Sequence, residues 1–223
     1  LCTFVFNTSE FIPIGLLTDI GRDFGRTEAE MGWLVTTYAW VVALMSLPLM
    51  LLASKMECRR LMMSVLALFV ASHVLSAVAS NYWILLASRL GVACSHAIFW
   101  SVVSPLAVEV APKHKTSAAL GLVVAGSSIA MIAGLPLGRV LGLYLGWRMT
   151  FLAIGLVAAI ALVCLWRFFP SVHSRNAVAL DKVPALLSRP ALMGIYILTP
   201  LIMTGNFTVY SYIEPFLAQV TGM

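Results

Sequence analysis

Thr3-Phe-Val-Phe-Asn-Thr-Ser-Glu-Phe-Ile-Pro-Ile-Gly15 is an apolar run with one carboxylate, Glu10, inside it. Thr3, Asn7 and Glu10 recur at i, i+4 and i+7, so on a helix they share one face. Phe4, Phe6, Phe11, Ile12 and Ile14 are left for lipid or neighbouring helices. A charged side chain at the centre of a bilayer costs roughly 2.5–3.5 kcal/mol on insertion scales, so it normally faces a protein interior or a wet cavity. Glu10 is therefore either tied to a neighbouring helix by hydrogen bonds or belongs to a transport cavity, and the stretch alone leaves both open.

The rest of the chain agrees with a membrane setting. Of its 223 residues 61% are hydrophobic and 10% charged, against about 25% charged in soluble domains, so the fold class is an all-α membrane protein. Met31 to Ser54 and Pro190 to Ile213 hold no charge at all, and each exceeds the roughly 20 residues that cross a hydrocarbon core. The net charge of +5 is then a matter of loops and orientation, not of a nucleic-acid partner. Cys2, Cys58, Cys94 and Cys164 stand singly, without a CxxC or zinc spacing, so neither a metal site nor a disulfide framework is expected. No phosphate loop and no nucleophile paired with a base is visible, and Ser101 and Ser104 lack a base at helical spacing. The sequence reads as neither an enzyme nor a cofactor protein. Leu1 is no initiator and Val220 to Met223 follow closely on an apolar run, which reads as a piece of a longer chain.

Seven spans are expected: Leu1 to about Ile20, Met31 to Ala53, Leu61 to Ala79, Trp83 to Val110, Ser117 to Leu143, Met149 to Phe169, and Ala191 to about Ala218. Thr27 and Glu30 have capping-box spacing at the start of the second. Arg175, Asp181, Lys182 and Arg189 among small polar residues mark a linker. The expected division is 1–169, a six-helix half; 170–189, a cytoplasmic linker; and 190–223, the first helix of a second half. With the first end inside, Lys55, Arg59, Arg60, Lys113, Lys115, Arg167, Arg175, Lys182 and Arg189 all fall on the cytoplasmic side, which places the N-terminus in the cytoplasm.

Several polar groups lie within these spans. Arg89, Ala93, His96 and Trp100 share a stripe of the fourth, where Arg89 is near enough to the membrane edge to snorkel. Imidazole titrates near physiological pH, which suits His96 to proton handling as well as to packing. In the fifth, Gly126, Ala130, Gly134, Gly138, Gly142 and Gly146 form a ladder four residues apart, the spacing that lets two backbones approach in lipid. Pro136 between Gly134 and Gly138 removes a backbone donor and is expected to bend that helix. In the seventh, Tyr196, Pro200, Met203, Phe207, Tyr210 and Glu214 share a face, with Asn206 one turn before Tyr210. Hydroxyl-tipped rings with an amide suit a polyhydroxylated ligand. The second span adds Thr36, Thr37, Tyr38 and Trp40.

Six spans, a basic linker and a seventh span resemble the first half of a major facilitator superfamily transporter with the start of its second half. Gly134-Leu-Pro-Leu-Gly138 is similar to the antiporter motif of the fifth helix, with Leu135 between the usual Gly-Pro pair. Arg89 falls at the fourth-helix arginine motif, and Leu145-Gly-Trp-Arg-Met-Thr-Phe151 at the entry to the sixth helix. The loop Met50-Leu-Leu-Ala-Ser-Lys-Met-Glu-Cys-Arg-Arg-Leu61 keeps the basic residues of the superfamily signature but departs from it at Met50, Ser54 and Glu57. More specifically, Phe6-Asn-Thr-Ser-Glu-Phe-Ile-Pro-Ile-Gly-Leu-Leu17, Tyr38-Ala-Trp-Val-Val-Ala-Leu-Met-Ser-Leu-Pro48, His96-Ala-Ile-Phe-Trp-Ser101 and Tyr210-Ser-Tyr-Ile-Glu-Pro-Phe216 resemble the bacterial sugar efflux transporters of the drug:proton antiporter group.

That resemblance implies a major facilitator fold in a bacterial inner membrane. It also implies export of arabinose-like sugars or thiogalactosides against protons by a monomer whose cavity lies between two six-helix halves. The second half of the chain would then be its missing partner. On this reading Glu10, His96 and Arg89 are candidates for proton coupling, and Asn7, Glu10, Tyr38, His96, Trp100, Asn206 and Tyr210 for sugar binding. Gly134, Pro136 and Gly138 are candidates for helix packing and gating. A drug or nucleoside exporter of the same fold is the nearest alternative, with Trp33, Trp40, Trp100 and Phe207 lining its cavity. A seven-helix receptor is more remote, because the inside N-terminus argues against it.

Overall fold

This computed structural model describes residues 1–53, 56–169 and 188–221, without the side chains of 28, 135 and 206–221. No strand occurs among the described residues. The helices are α1 (Cys2–Phe24), α2 (Glu28–Ala53), α3 (Cys58–Ala77), α4 (Tyr82–Val110), α5 (Thr116–Ile129), α6 (Leu135–Leu145), α7 (Trp147–Phe168) and α8 (Pro190–Thr221). Five stretches, Ala29–Ala53, Cys58–Ala77, Tyr82–Val110, Lys113–Gly134 and Trp147–Phe168, are long and apolar enough to cross a membrane. The first helix has comparable length at 23 residues, but its polar run Asn7-Thr-Ser-Glu10 lowers its hydropathy. Leu52, Leu122 and Ile132 are 75%, 74% and 76% exposed. An outer surface this apolar is suited to lipid, not to water.

The described residues divide into two units, one within Leu1–Ala177 and one within Val178–Met223. In the first, α2 packs on α4, α3 packs on α4 and α7, and α1 packs on α2, α5, α6 and α7. The start signal read from the sequence at Thr27 and Glu30 is realised, and the structure adds a second cap at Asn81. The Thr27 backbone N–H donates to Glu30 Oε2 at 2.9 Å and the Glu30 N–H to Thr27 Oγ1 at 3.3 Å, a reciprocal cap for α2. Asn81 Oδ1 accepts from the Ile84 N–H at 3.0 Å and caps α4.

Two phenylalanines of α1, Phe6 and Phe11, are buried against neighbouring helices, while Phe4 is partly exposed. Phe6 is fully buried, with its ring stacked on Phe69 at 4.2 Å and on Phe99 at 3.9 Å. Ile12 is buried too, while Ile14 is half exposed. In lipid the gain from such a stack is packing, not escape from water.

The small-residue ladder has a definite partner, which is α1. A Cβ added at Gly126 would collide with Thr3, at Gly134 with Thr8, at Gly138 with Ile12 and at Gly142 with Leu16. Both numberings rise together, so the two helices run parallel. Thr3 Oγ1 and Thr8 Oγ1 rest against the glycine backbone, the setting in which Cα–H···O contacts recur at helix interfaces. Pro136 is exposed and takes no part in this seam. Its effect is on the backbone: the fifth span is interrupted by a π turn, Ala130–Gly134, directly before it. Pro136 has no N–H for the Ile132 carbonyl and its ring crowds that carbonyl, and the helix is wound more widely over that one turn.

At the Phe24 end of α1, polar ties replace this close packing. Arg139 pairs with Asp19 and Arg148 with Asp23. Trp147 Nε1 donates to Asp23 Oδ2 at 3.2 Å, and Arg148 donates to the Ala79 carbonyl at 3.0 Å. In the second unit α8 has 32 residues. Tyr196 is exposed on it. The side chains of Asn206, Phe207, Tyr210 and Glu214 lie outside the described residues.

Candidate functional site

Helices α1 and α4 are tied by polar side chains of α4 that reach backbone carbonyls of α1. From α4, His96 Nε2 reaches the Phe6 carbonyl at 2.8 Å and Arg89 donates to the Ser9 carbonyl at 3.3 Å. Arg89 is 3% exposed and does not snorkel. Its guanidinium lies 5.0 Å from the centre of the Tyr38 ring and 5.8 Å from that of Phe151. These rings from α2 and α7 offer it cation–π contact where water is excluded. Tyr38 in turn meets His96 edge-on at 5.5 Å. Glu10 is half-buried and is an electrostatic neighbour of both Arg89 and Tyr38. Among the described residues it forms no ion pair.

The ring of His96 is fully buried between two carbonyls, with Nδ1 3.1 Å from the Val92 oxygen and Nε2 2.8 Å from that of Phe6. Carbonyl oxygens only accept, and a neutral imidazole has one N–H. The neutral ring therefore satisfies one carbonyl and turns a lone pair to the other, whereas an imidazolium satisfies both.

Among the described residues four buried side-chain atoms have no protein hydrogen-bond partner: Asn7 Oδ1, Thr8 Oγ1, Tyr38 OH and Arg89 Nη1. Each such atom costs on the order of 1–3 kcal/mol, and most buried polar groups in native proteins are satisfied. All four belong to α1 or to side chains reaching toward it. They mix donors with acceptors, the inventory a polyol can answer.

The expected groups are thus only partly assembled. Glu10, Tyr38, Arg89 and His96 form one cluster, with Asn7 buried one turn from Glu10 on α1. Trp100 is half-buried and packs edge-on against Phe99 at 5.3 Å, one turn away from His96. Trp33 and Trp40 are 63% and 61% exposed, turned away from the buried face of α2 that carries Met31, Leu34 and Tyr38. Gly134 and Gly138 belong to the seam with α1.

Sequence reading missed His73, which is fully buried on α3. Its Nδ1 is 2.9 Å from the Phe69 carbonyl, and its Nε2 is 2.8 Å from Ser9 Oγ. Since the carbonyl only accepts, Nδ1 carries the proton and the Ser9 hydroxyl donates to Nε2. The rule that singled out His96, an ionisable side chain inside a span, applies equally to His73.

Comparison with known proteins gives this arrangement its setting. The family model described as Major Facilitator Superfamily matches residues 1–223. The chain belongs to the Major Facilitator Superfamily. Proteins of Helicobacter pylori strains G27, 26695 and P12, each named "Probable sugar efflux transporter", are 52% identical to it over 221 residues, 99% of this chain and 56% of each relative. This superfamily member therefore spans about half the length of the curated relatives it matches. A crystal structure of a bacterial homologue of the human lysosomal transporter Spinster, inward-facing and unoccupied, superposes with a TM-score of 0.70 at 18% identity. It covers 100% of this chain and 55% of that one, a likeness of fold. The expected all-α major facilitator fold and the resemblance to sugar efflux transporters are both borne out.

Proposed function

We propose that this chain forms the first half, with the start of the second, of a proton-coupled sugar exporter of the bacterial inner membrane. The observation that carries the reading is Glu10, a carboxylate inside a helical bundle that neighbours Arg89 without being locked to it. The names of the Helicobacter relatives support sugar as the cargo. So does the mixed set of unpartnered donors and acceptors at Asn7, Thr8, Tyr38 and Arg89.

The N-terminus lies in the cytoplasm. Residues 170–189 are a cytoplasmic linker, and the full-length monomer carries a second six-helix half facing this one. Protons from outside bind Glu10 and cancel the charge it presents to Arg89. The hydrogen bonds that hold sugar near Asn7, Tyr38, His96 and Trp100 then reorganise. Sugar leaves outward and the proton leaves inward as the halves rock, with the glycine seam between α1 and α5–α6 as a rigid part of the moving half.

Full-length protein in proteoliposomes with an imposed proton gradient tests the reading. Saturable counterflow of labelled arabinose, driven by the gradient, is the expected result. Movement of a lipophilic dye with no arabinose counterflow would replace sugar with a drug as the cargo.

A further inference from the structure

The hold on Arg89 is written into α1 at Ser9, within its polar run Asn7-Thr-Ser-Glu10, and at Pro13 one turn further on. In an uninterrupted helix the Ser9 carbonyl would accept from the N–H of residue 13, and residue 13 is a proline. Pro13 has no N–H to give, and its ring crowds the carbonyl four residues before it, which is that of Ser9. That oxygen is therefore both vacated and tilted out of the helix, and it is the oxygen to which Arg89 Nη2 donates at 3.3 Å. The same serine is tied a second time, since its hydroxyl donates to Nε2 of His73 at 2.8 Å, and His73 is itself fixed by the Phe69 carbonyl at 2.9 Å. Ser9 is 0% exposed, as is His73, so water does not compete for either bond.

We infer that Pro13 and His73 are positioning residues for Arg89. Pro13 frees the Ser9 carbonyl as an acceptor and His73 pins the serine that bears it, so that the guanidinium is held by a backbone oxygen and not by Glu10. This rests on the proposed role of Arg89 and Glu10 in proton coupling. A guanidinium anchored elsewhere stays in place when Glu10 gains or loses its proton, and only the electrostatic link between them changes. Without the anchor, Arg89 would turn to the nearest carboxylate and close an ion pair with Glu10, which would tie up the proton acceptor.

The test uses the full-length protein in proteoliposomes and reads proton-driven export and sugar exchange separately. Pro13→Ala returns a backbone donor to Ser9 and is expected to lower driven export about tenfold, the weight of one charged hydrogen bond, while the sugar concentration for half-maximal exchange stays put. His73→Leu should reproduce that loss. His73→Gln, which keeps an acceptor near the Nε2 position, should restore most of it. Adding His73→Leu to Ser9→Ala should cost nothing further, because both remove the same link. Normal driven export by Pro13→Ala, or equal loss of export and exchange, would overturn the inference. A solid-state NMR contact between ¹⁵N-labelled arginine and ¹³C-carbonyl-labelled Ser9 gives a readout free of any substrate. It should be present in the wild type and lost in Pro13→Ala, and its persistence there would sink the proposal whether or not sugar is the cargo.

Discussion

Arg89 and Glu10 lie on facing helices within electrostatic reach of one another and form no ion pair. The guanidinium is occupied instead by the Ser9 carbonyl at 3.3 Å and by the face of Tyr38 at 5.0 Å. A closed pair in a low-dielectric interior is held by strong Coulomb attraction, and breaking one side of it costs about 3–5 kcal/mol. An open pair carries no such barrier. Glu10 can exchange a proton without first releasing a partner, and the change is still felt at Arg89 as the loss of a neighbouring charge.

Glu10→Gln is therefore expected to abolish proton-driven export. Sugar exchange, which moves no net proton, should continue at a reduced rate. Gln keeps the size and hydrogen-bonding reach of the side chain and removes only its ability to ionise. Parallel flux measurements with and without a proton gradient give the answer. Driven export at the wild-type rate would make Glu10 a packing residue.

Close packing on α1 makes Gly134 intolerant of even one carbon. Gly134→Ala sets a methyl into Thr8 and should destabilise the bundle by about 1–3 kcal/mol, the usual cost of overpacking. Gly134→Ala with Thr8→Ala should recover much of that loss, since the colliding atoms are those of the threonine side chain. Gly121 has nothing within 4 Å of its Cβ position, so Gly121→Ala should leave stability unchanged or slightly raised. Thermal unfolding midpoints of the detergent-solubilised variants order these cases.

The helices themselves were legible because apolar runs of span length and their capping residues act locally. Thr27 with Glu30 could be placed from spacing alone, whereas Asn81, the cap of α4, reads in the sequence only as part of a turn. The ladder from Gly126 to Gly142 announced a close helix contact, but its partner could not be read, since glycine records only that something approaches. Pro136 signalled a break, and whether a helix answers with a bend or with a π turn depends on what packs beside it. The site was legible in composition and not in assembly. Asn7 and Glu10 could be grouped by periodicity, whereas the meeting of Arg89 with the Ser9 carbonyl joins residues 80 apart in sequence, and no helical period spans that distance.

The ties at the Phe24 end of α1 are unequal. Arg139 makes one half-exposed pair with Asp19, and exposed pairs contribute about 0–1 kcal/mol. Arg148 pairs with Asp23, donates to the Ala79 carbonyl and lies over the Trp147 ring at 4.1 Å. Arg148→Ala should accordingly lower the unfolding midpoint clearly more than Arg139→Ala, and the gap should persist at high salt, because a backbone hydrogen bond and a ring contact are poorly screened. Equal effects of the two would reduce the role of Arg148 to its charge.

Tyr38 separates what the ring does from what the hydroxyl does. Its ring lies under Arg89 and against the edge of His96, whereas its OH is buried with no protein partner. A buried hydroxyl that bonds to nothing in the protein adds no stability and carries the cost of its own desolvation. Tyr38→Phe keeps the ring, so the unfolding midpoint should hold or rise. If the hydroxyl is retained to bind sugar, the same change should raise the concentration for half-maximal exchange about two- to tenfold, the range for one neutral hydrogen bond. Tyr38→Leu, which removes the ring as well, should lose stability and transport together. A Tyr38→Phe variant that is less stable and binds sugar normally would show that the hydroxyl serves the fold, and would take Tyr38 out of the binding site.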